Sequence, residues 1–165
     1  MSTEAQFTEL ERNALAEAPH LAGIAVMIAG SSGIFGSLKE AAVAAQSVFH
    51  GSESDNPLIR SLAAKETMQA AGDRIRAELG DYGDQDPKVF VRDKAVAKLR
   101  QAAAILRAKS PGDLGSYSEW VLQIGDKVAN AAKEGSFLGF GGARVSESET
   151  AAIADIRSAL AGQPS

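Results

Sequence analysis

From Pro19 to Ala29 the chain sets Leu21, Ile24, Val26, Met27 and Ile28 around every side of a helix. A helix that is apolar all round belongs in the middle of a bundle, because water would meet its side chains on any exposed side. Leu21, Ile24, Val26 and Ile28 are therefore expected to be deeply buried. The apolar run is about half of the ~20 residues that cross a bilayer, so no membrane span is expected. Proline is suited to the first position of a helix, so this helix is expected to start at Pro19 and to end at Gly30 to Gly33.

The other elements are arranged around that centre. Thr3-x-x-Gln6 can cap a first helix over 2–17, with Phe7, Leu10 and Ala14 on one face. Helices are expected over 19–29 and 37–50, the latter after the capping box Ser37-x-x-Glu40. Asn56-Pro57 and Asp86-Pro87 each join a cap to a first-turn proline and open helices over 57–79 and 87–109. In 57–79, Leu58, Ile59 and Leu62 lie on one side, and Met68, Ile75 and Leu79 on another. That helix must leave the core partway or bend near Gly72. Tyr117, Trp120, Val121, Ile124 and Val128 mark a helix over 116–134, and Ile153, Ile156 and Leu160 one over 147–161. Alanine is abundant and no pair of strands is legible. These 165 residues are enough for one core. The expected fold is all-α: residues 1–165 form a single-domain helical bundle of about seven helices, mostly antiparallel neighbours.

The helix over 87–109 carries a large-residue stripe, Val89, Val96, Leu99 and Leu106, opposite a small-residue side, Ala97, Ala104 and Ala108. Lys88, Arg92, Lys94, Lys98, Arg100, Arg107 and Lys109 lie on its flanks and read as solvated or snorkelling cations. One side can be the core and the other needs a cover, which predicts a homo-oligomer or another protein partner.

Glycine and aromatic residues crowd together in Gly135-Ser-Phe-Leu-Gly-Phe-Gly-Gly-Ala-Arg-Val-Ser146. Gly135 is placed to end a helix in the left-handed conformation. Ser146 and Glu149 have the spacing of a capping box. Phe137, Leu138 and Phe140 either plug the end of the core or meet a partner or a membrane surface, with Arg144 beside them.

Charge and composition exclude several functions. A net charge of −4 disfavours nucleic acid as the main partner. There is no cysteine, so disulfides, thiol catalysis and zinc–thiolate sites are ruled out. Glu4, Glu9, Glu11 and Glu17 precede any apolar run, the wrong charge for a signal peptide, and the expected location is cytoplasmic.

Glu17-Ala-Pro-His20 has the Glu-x-x-His spacing of di-iron helices, and Glu40 and Glu66 could bridge a divalent metal or iron. Against this, Pro19 separates the two ligands and His50 has Ser47, not glutamate, three residues before it. A phosphate cradle at the glycine stretch with Arg144 would lack a preceding strand. Glu147 and Glu149 would also occupy the helix start where an anion must sit. Neither histidine lies in a nucleophile motif.

Three stretches together, Pro19 to Glu40, Asn56-Pro57-Leu58-Ile59 and Gly135 to Glu149, resemble a group of small bacterial all-helical proteins with no assigned activity. The chain is also remotely similar to the TerB-like tellurite-resistance fold, in which glycine-bearing loops precede acidic helix starts. Gly33 to Glu40 and Gly139 to Glu149 stand in those places. The family's loops carry an aspartate beside the glycine, and neither loop does so here. The expected function is a non-catalytic binding or scaffolding module without a cofactor. The alternative is a TerB-like or ferritin-like metal-binding stress-response protein.

Overall fold

The computed structural model describes residues 6–30, 46, 48, 50–135 and 145–162. Among these the chain forms six α-helices: α1 (Glu9–Gly30), α2 (Pro57–Leu62), α3 (Lys65–Leu79), α4 (Pro87–Lys109), α5 (Leu114–Gly135) and α6 (Glu147–Ala161). Short 3₁₀ turns occupy His50–Glu53 and Pro111–Asp113, and no strand occurs among the described residues. The all-α architecture matches the expectation. The helix expected over 37–50 falls almost wholly outside the described residues, as do Glu40, Phe137, Leu138, Phe140 and Arg144.

The first helix departs from expectation at both ends of its early half. It starts at Glu9, where Thr8 and Glu11 form a reciprocal cap. The Glu11 amide donates to Thr8 Oγ1 at 3.2 Å and the Thr8 amide to Glu11 Oε2 at 2.7 Å. It then runs straight through Pro19, so the helices expected over 2–17 and 19–29 are one element. A proline inside a helix has no N–H to give to the carbonyl four residues back, here that of Leu15. The Tyr117 hydroxyl of α5 supplies the missing donor at 2.8 Å. Both Leu15 and Tyr117 are fully buried. An internal proline is thus tolerated because a distant side chain satisfies the carbonyl it leaves unpaired.

Helix α1 is the central element and packs against all five of the others. From Ala14 to Val26 nearly every residue is buried, as an all-round apolar helix requires. Leu21 and Val26 are inaccessible, whereas Ile24 and Ile28 are only partly covered. These two isoleucines belong to a second, smaller core cluster with Leu21, Ile75 and Phe90, between α1, α3 and α4. Leu10, expected on the buried face, is 78% exposed.

The 57–79 segment breaks at Ala63 and Ala64 into α2 and α3, not near Gly72. Leu58, Ile59 and Leu62 are buried from one side, and Ala71 and Ile75 from another. In an unbroken helix Ile75 would stand about 220° round from Leu62, so both sets cannot reach the core without a break. Ala64 supplies it with an extended ψ of 142°.

The remaining ends follow local signals. Asn56 accepts from the amides of Leu58 and Ile59, and Asp86 from that of Lys88, each before its first-turn proline. The Ser146–Glu149 capping box is complete. Helix α5 includes Gly135; the left-handed glycines among the described residues are Gly83 and Gly162. Gly162, with φ of 76°, ends α6.

Candidate functional site

Several places among the described residues gather polar chemistry or leave space. The first is the Glu17–His20 turn of α1. Glu17 is 5% exposed, buried by its place on the central helix. Arg74 Nε of α3 donates to its Oε1 at 2.5 Å, and Lys98 Nζ of α4 to its Oε2 at 2.7 Å. One carboxylate therefore joins three helices. His20 Nδ1 lies 3.0 Å from the Ala16 carbonyl. A carbonyl only accepts, so Nδ1 carries the proton. Burial holds the imidazole below its ordinary pKa; the Ala16 bond and the Glu17 charge oppose this shift, and Arg74 adds to it.

The sequence grouped Glu17, His20, Glu40 and Glu66 as metal ligands. Both Glu17 oxygens already face cations. Glu66 is exposed on α3, in a shallow groove whose wall includes Arg12 and Arg74. Glu40 lies outside the described residues. Among the described residues no three His, Asp or Glu side chains are grouped to hold a metal ion.

Most of the α4 cations are engaged rather than simply solvated. Besides Lys98, Arg92 Nε donates to Asp155 of α6 at 2.7 Å and Lys94 pairs with Glu78 of α3 at 3.0 Å. Arg107 Nη2 donates to the Leu160 carbonyl near the end of α6, and Lys109 bonds Glu11 of α1 at 2.6 Å. The sequence shows the cations but not their partners, each of which lies on another helix. On the small-residue side, Ala97, Ala104 and Ala108 are exposed, while Leu99 and Leu106 of the opposite stripe are fully buried.

The second place is a groove of about 390 Å³ between α1, α4 and α6. Alanines make it: Ala25 and Ala29 from α1, Ala95 from α4, and Ala151 and Ala152 from α6. Three helices that each present a methyl group where they meet leave a space that larger side chains would fill. Val96 and Ile156 complete the apolar lining. Lys88, Val89, Arg92, Ser148 and Asp155 line it as well. Val89, part of the stripe expected to be core, is 51% exposed here. The Arg92–Asp155 pair raises the guanidinium pKa further, so this cation is permanent.

The third place is a cleft of about 370 Å³ beside Trp120, with His50, Glu119, Gln123 and Lys127 in its lining. The Trp120 indole N–H is buried and has no hydrogen-bond partner among the described residues. Gly51 lies against the ring: a β-carbon there would stand 2.7 Å from Nε1, so only glycine fits.

Among the described residues neither histidine hydrogen-bonds a serine or threonine, and His50 reaches only Glu53, at 3.8 Å. No described helix is long and apolar enough to cross a membrane. In comparison with protein families, curated proteins and solved structures, the chain matches none.

Proposed function

We propose that this chain is a non-catalytic binding module whose ligand seat is the groove between α1, α4 and α6. The groove itself carries the reading. Its volume of about 390 Å³ falls within the ~300–1,000 Å³ of small-molecule sites. Its lining is mostly apolar with a few charged groups, as such sites are. It sits against the central helix, whose contacts with the other five described helices hold the walls in place.

The metal-binding alternative has weaker support, because Glu17 already answers Arg74 and Lys98. Stoichiometric iron or manganese in the purified protein would reverse that order. The direct test of the groove is an NMR titration of ¹⁵N-labelled protein with small apolar probes. Saturable shifts centred on the amides of Ala29, Val96 and Ala151 are expected. Shifts that are absent, or centred on the Trp120 cleft, would overturn the reading.

A further inference from the structure

We infer that the cleft beside Trp120, a site separate from the α1–α4–α6 groove, takes a lysine residue of a partner peptide, with a peptide carbonyl on the indole N–H and the ammonium at Asp55 and Glu119. The indole argues for the carbonyl. Trp120 lines the cleft, is 7% exposed, and its N–H has no hydrogen-bond partner among the described residues. A buried donor without an acceptor has lost its water and received nothing in exchange, so an acceptor that reaches it is favoured. An indole nitrogen only donates, which excludes a cation or a hydrocarbon as its partner.

Gly51 shows how the N–H is reached. It lies over the ring, where an added β-carbon would stand 2.7 Å from Nε1 and Cε2. The cover is therefore bare backbone, carried by the four-residue turn His50–Glu53, in which Gly51 alone is buried. Outward movement of this turn opens the indole to a cleft of about 370 Å³.

The rim argues for the ammonium. Its carboxylates are Glu53, Asp55 and Glu119, and its lysine is Lys127. Asp55 and Glu119 are exposed, and their carboxylates have no partner among the described residues. Asp55 adjoins Asn56, whose side chain donates to Asp113 Oδ1 at 2.8 Å, so it stands near the start of α5, as Glu119 does. Lys127 lies about 12 Å further along α5 than Glu119, at ~1.5 Å of rise per residue, and does not neutralise that end. Arg60, outside the lining, donates Nη1 to the Ser54 carbonyl at 2.9 Å. Even with Arg60 counted, carboxylates outnumber cations. A carbonyl alone would leave this rim unanswered, and an amine alone would leave the indole without an acceptor. A lysine in a peptide supplies both.

The chain has a single tryptophan, so its indole N–H gives one cross-peak in the ¹⁵N spectrum of the full chain. Three probes are titrated at millimolar concentration. N-acetyl-lysine methylamide has both groups, its norleucine analogue keeps the carbonyls without the charge, and butylammonium keeps the charge without the carbonyls. Saturable downfield movement of the indole proton is expected with the first two and not with butylammonium. The lysine probe should bind about tenfold more tightly than the norleucine one, the size of one charge-assisted hydrogen bond. Asp55→Asn with Glu119→Gln, both at exposed positions, should remove that advantage and leave the norleucine probe unchanged. If lysine binds no more tightly than norleucine, or the double variant changes nothing, the lysine class is overturned. If no probe moves the indole proton downfield, the cleft is not a ligand seat and the inference falls as a whole. Neither result touches the groove, which is read at Ala29, Val96 and Ala151.

Discussion

Glu17 and Asp155 are both carboxylates reached by cations of α4, and they sit in opposite surroundings. Glu17 is in the interior and holds two cations from two helices, one to each oxygen. Asp155 stands at the groove with its side chain 23% exposed, and it holds one cation that is itself more than half exposed. Removing a partner from a buried pair strands a charge where water cannot replace what was lost. At the surface, water and salt take over and little changes. The same residue types therefore fix helix positions in one region and leave a cation open to exchange in the other.

The comparison is most directly broken at Glu17. Glu17→Ala should cost about 3 kcal/mol in urea denaturation, the low end for a broken buried pair, since Arg74 keeps some access to water. A loss below about 1 kcal/mol would put Glu17 in the same class as Asp155. The next effect is at Tyr117. Tyr117→Phe leaves the Leu15 carbonyl without any donor and should cost about 1–3 kcal/mol. In a Pro19→Ala background the backbone N–H returns, and the same change should cost less. Equal costs in both backgrounds would show that the hydroxyl does not compensate for the proline.

A third test uses pH. His20 has a depressed pKa in the folded chain, so the unfolded chain binds its proton first. Its contribution is fully present above the unfolded value of about 6.5 and is lost as pH falls through the lower folded value. Stability should decline over that window, and His20→Gln should flatten the decline. An unchanged slope would assign it to other groups. The smallest effect is expected at the groove: Asp155→Asn should change stability by less than about 1 kcal/mol, as read by thermal melting. A larger loss would make the Arg92 pair structural and weaken the case for an exchangeable cation.

The features legible in the sequence were those set by neighbouring residues. Asn56-Pro57, Asp86-Pro87 and Ser146-x-x-Glu149 cap helices as read, because a cap and its amides lie within four residues. The stripe from Tyr117 to Val128 is buried as its period implied. The central helix was legible too, but not its length. Proline signals a helix start unless something distant satisfies the freed carbonyl, and here Tyr117 is 102 residues away from Leu15. A buried tyrosine needs a partner for its hydroxyl, and that need was the one available hint. The groove was hidden for a similar reason. Alanine reads as a helix former at each position, and only the meeting of three helices turns those methyl groups into a space. Residues 136–144 of the glycine stretch, the most conspicuous segment of the sequence, lie outside the described residues.

Trp120 is the chain's single tryptophan. Its indole is enclosed, has no hydrogen-bond partner among the described residues, and meets Tyr117 edge-on with ring centroids 5.8 Å apart. Such a fluorophore emits at short wavelength while the core is closed and shifts to the red when water enters. Excitation absorbed by Tyr117 passes to it only while the two rings stay close. The residue whose hydroxyl steadies the proline turn of α1 is thus coupled to the chain's single tryptophan. Trp120 does not line the α1–α4–α6 groove, so its emission can follow unfolding without reporting directly on a ligand there.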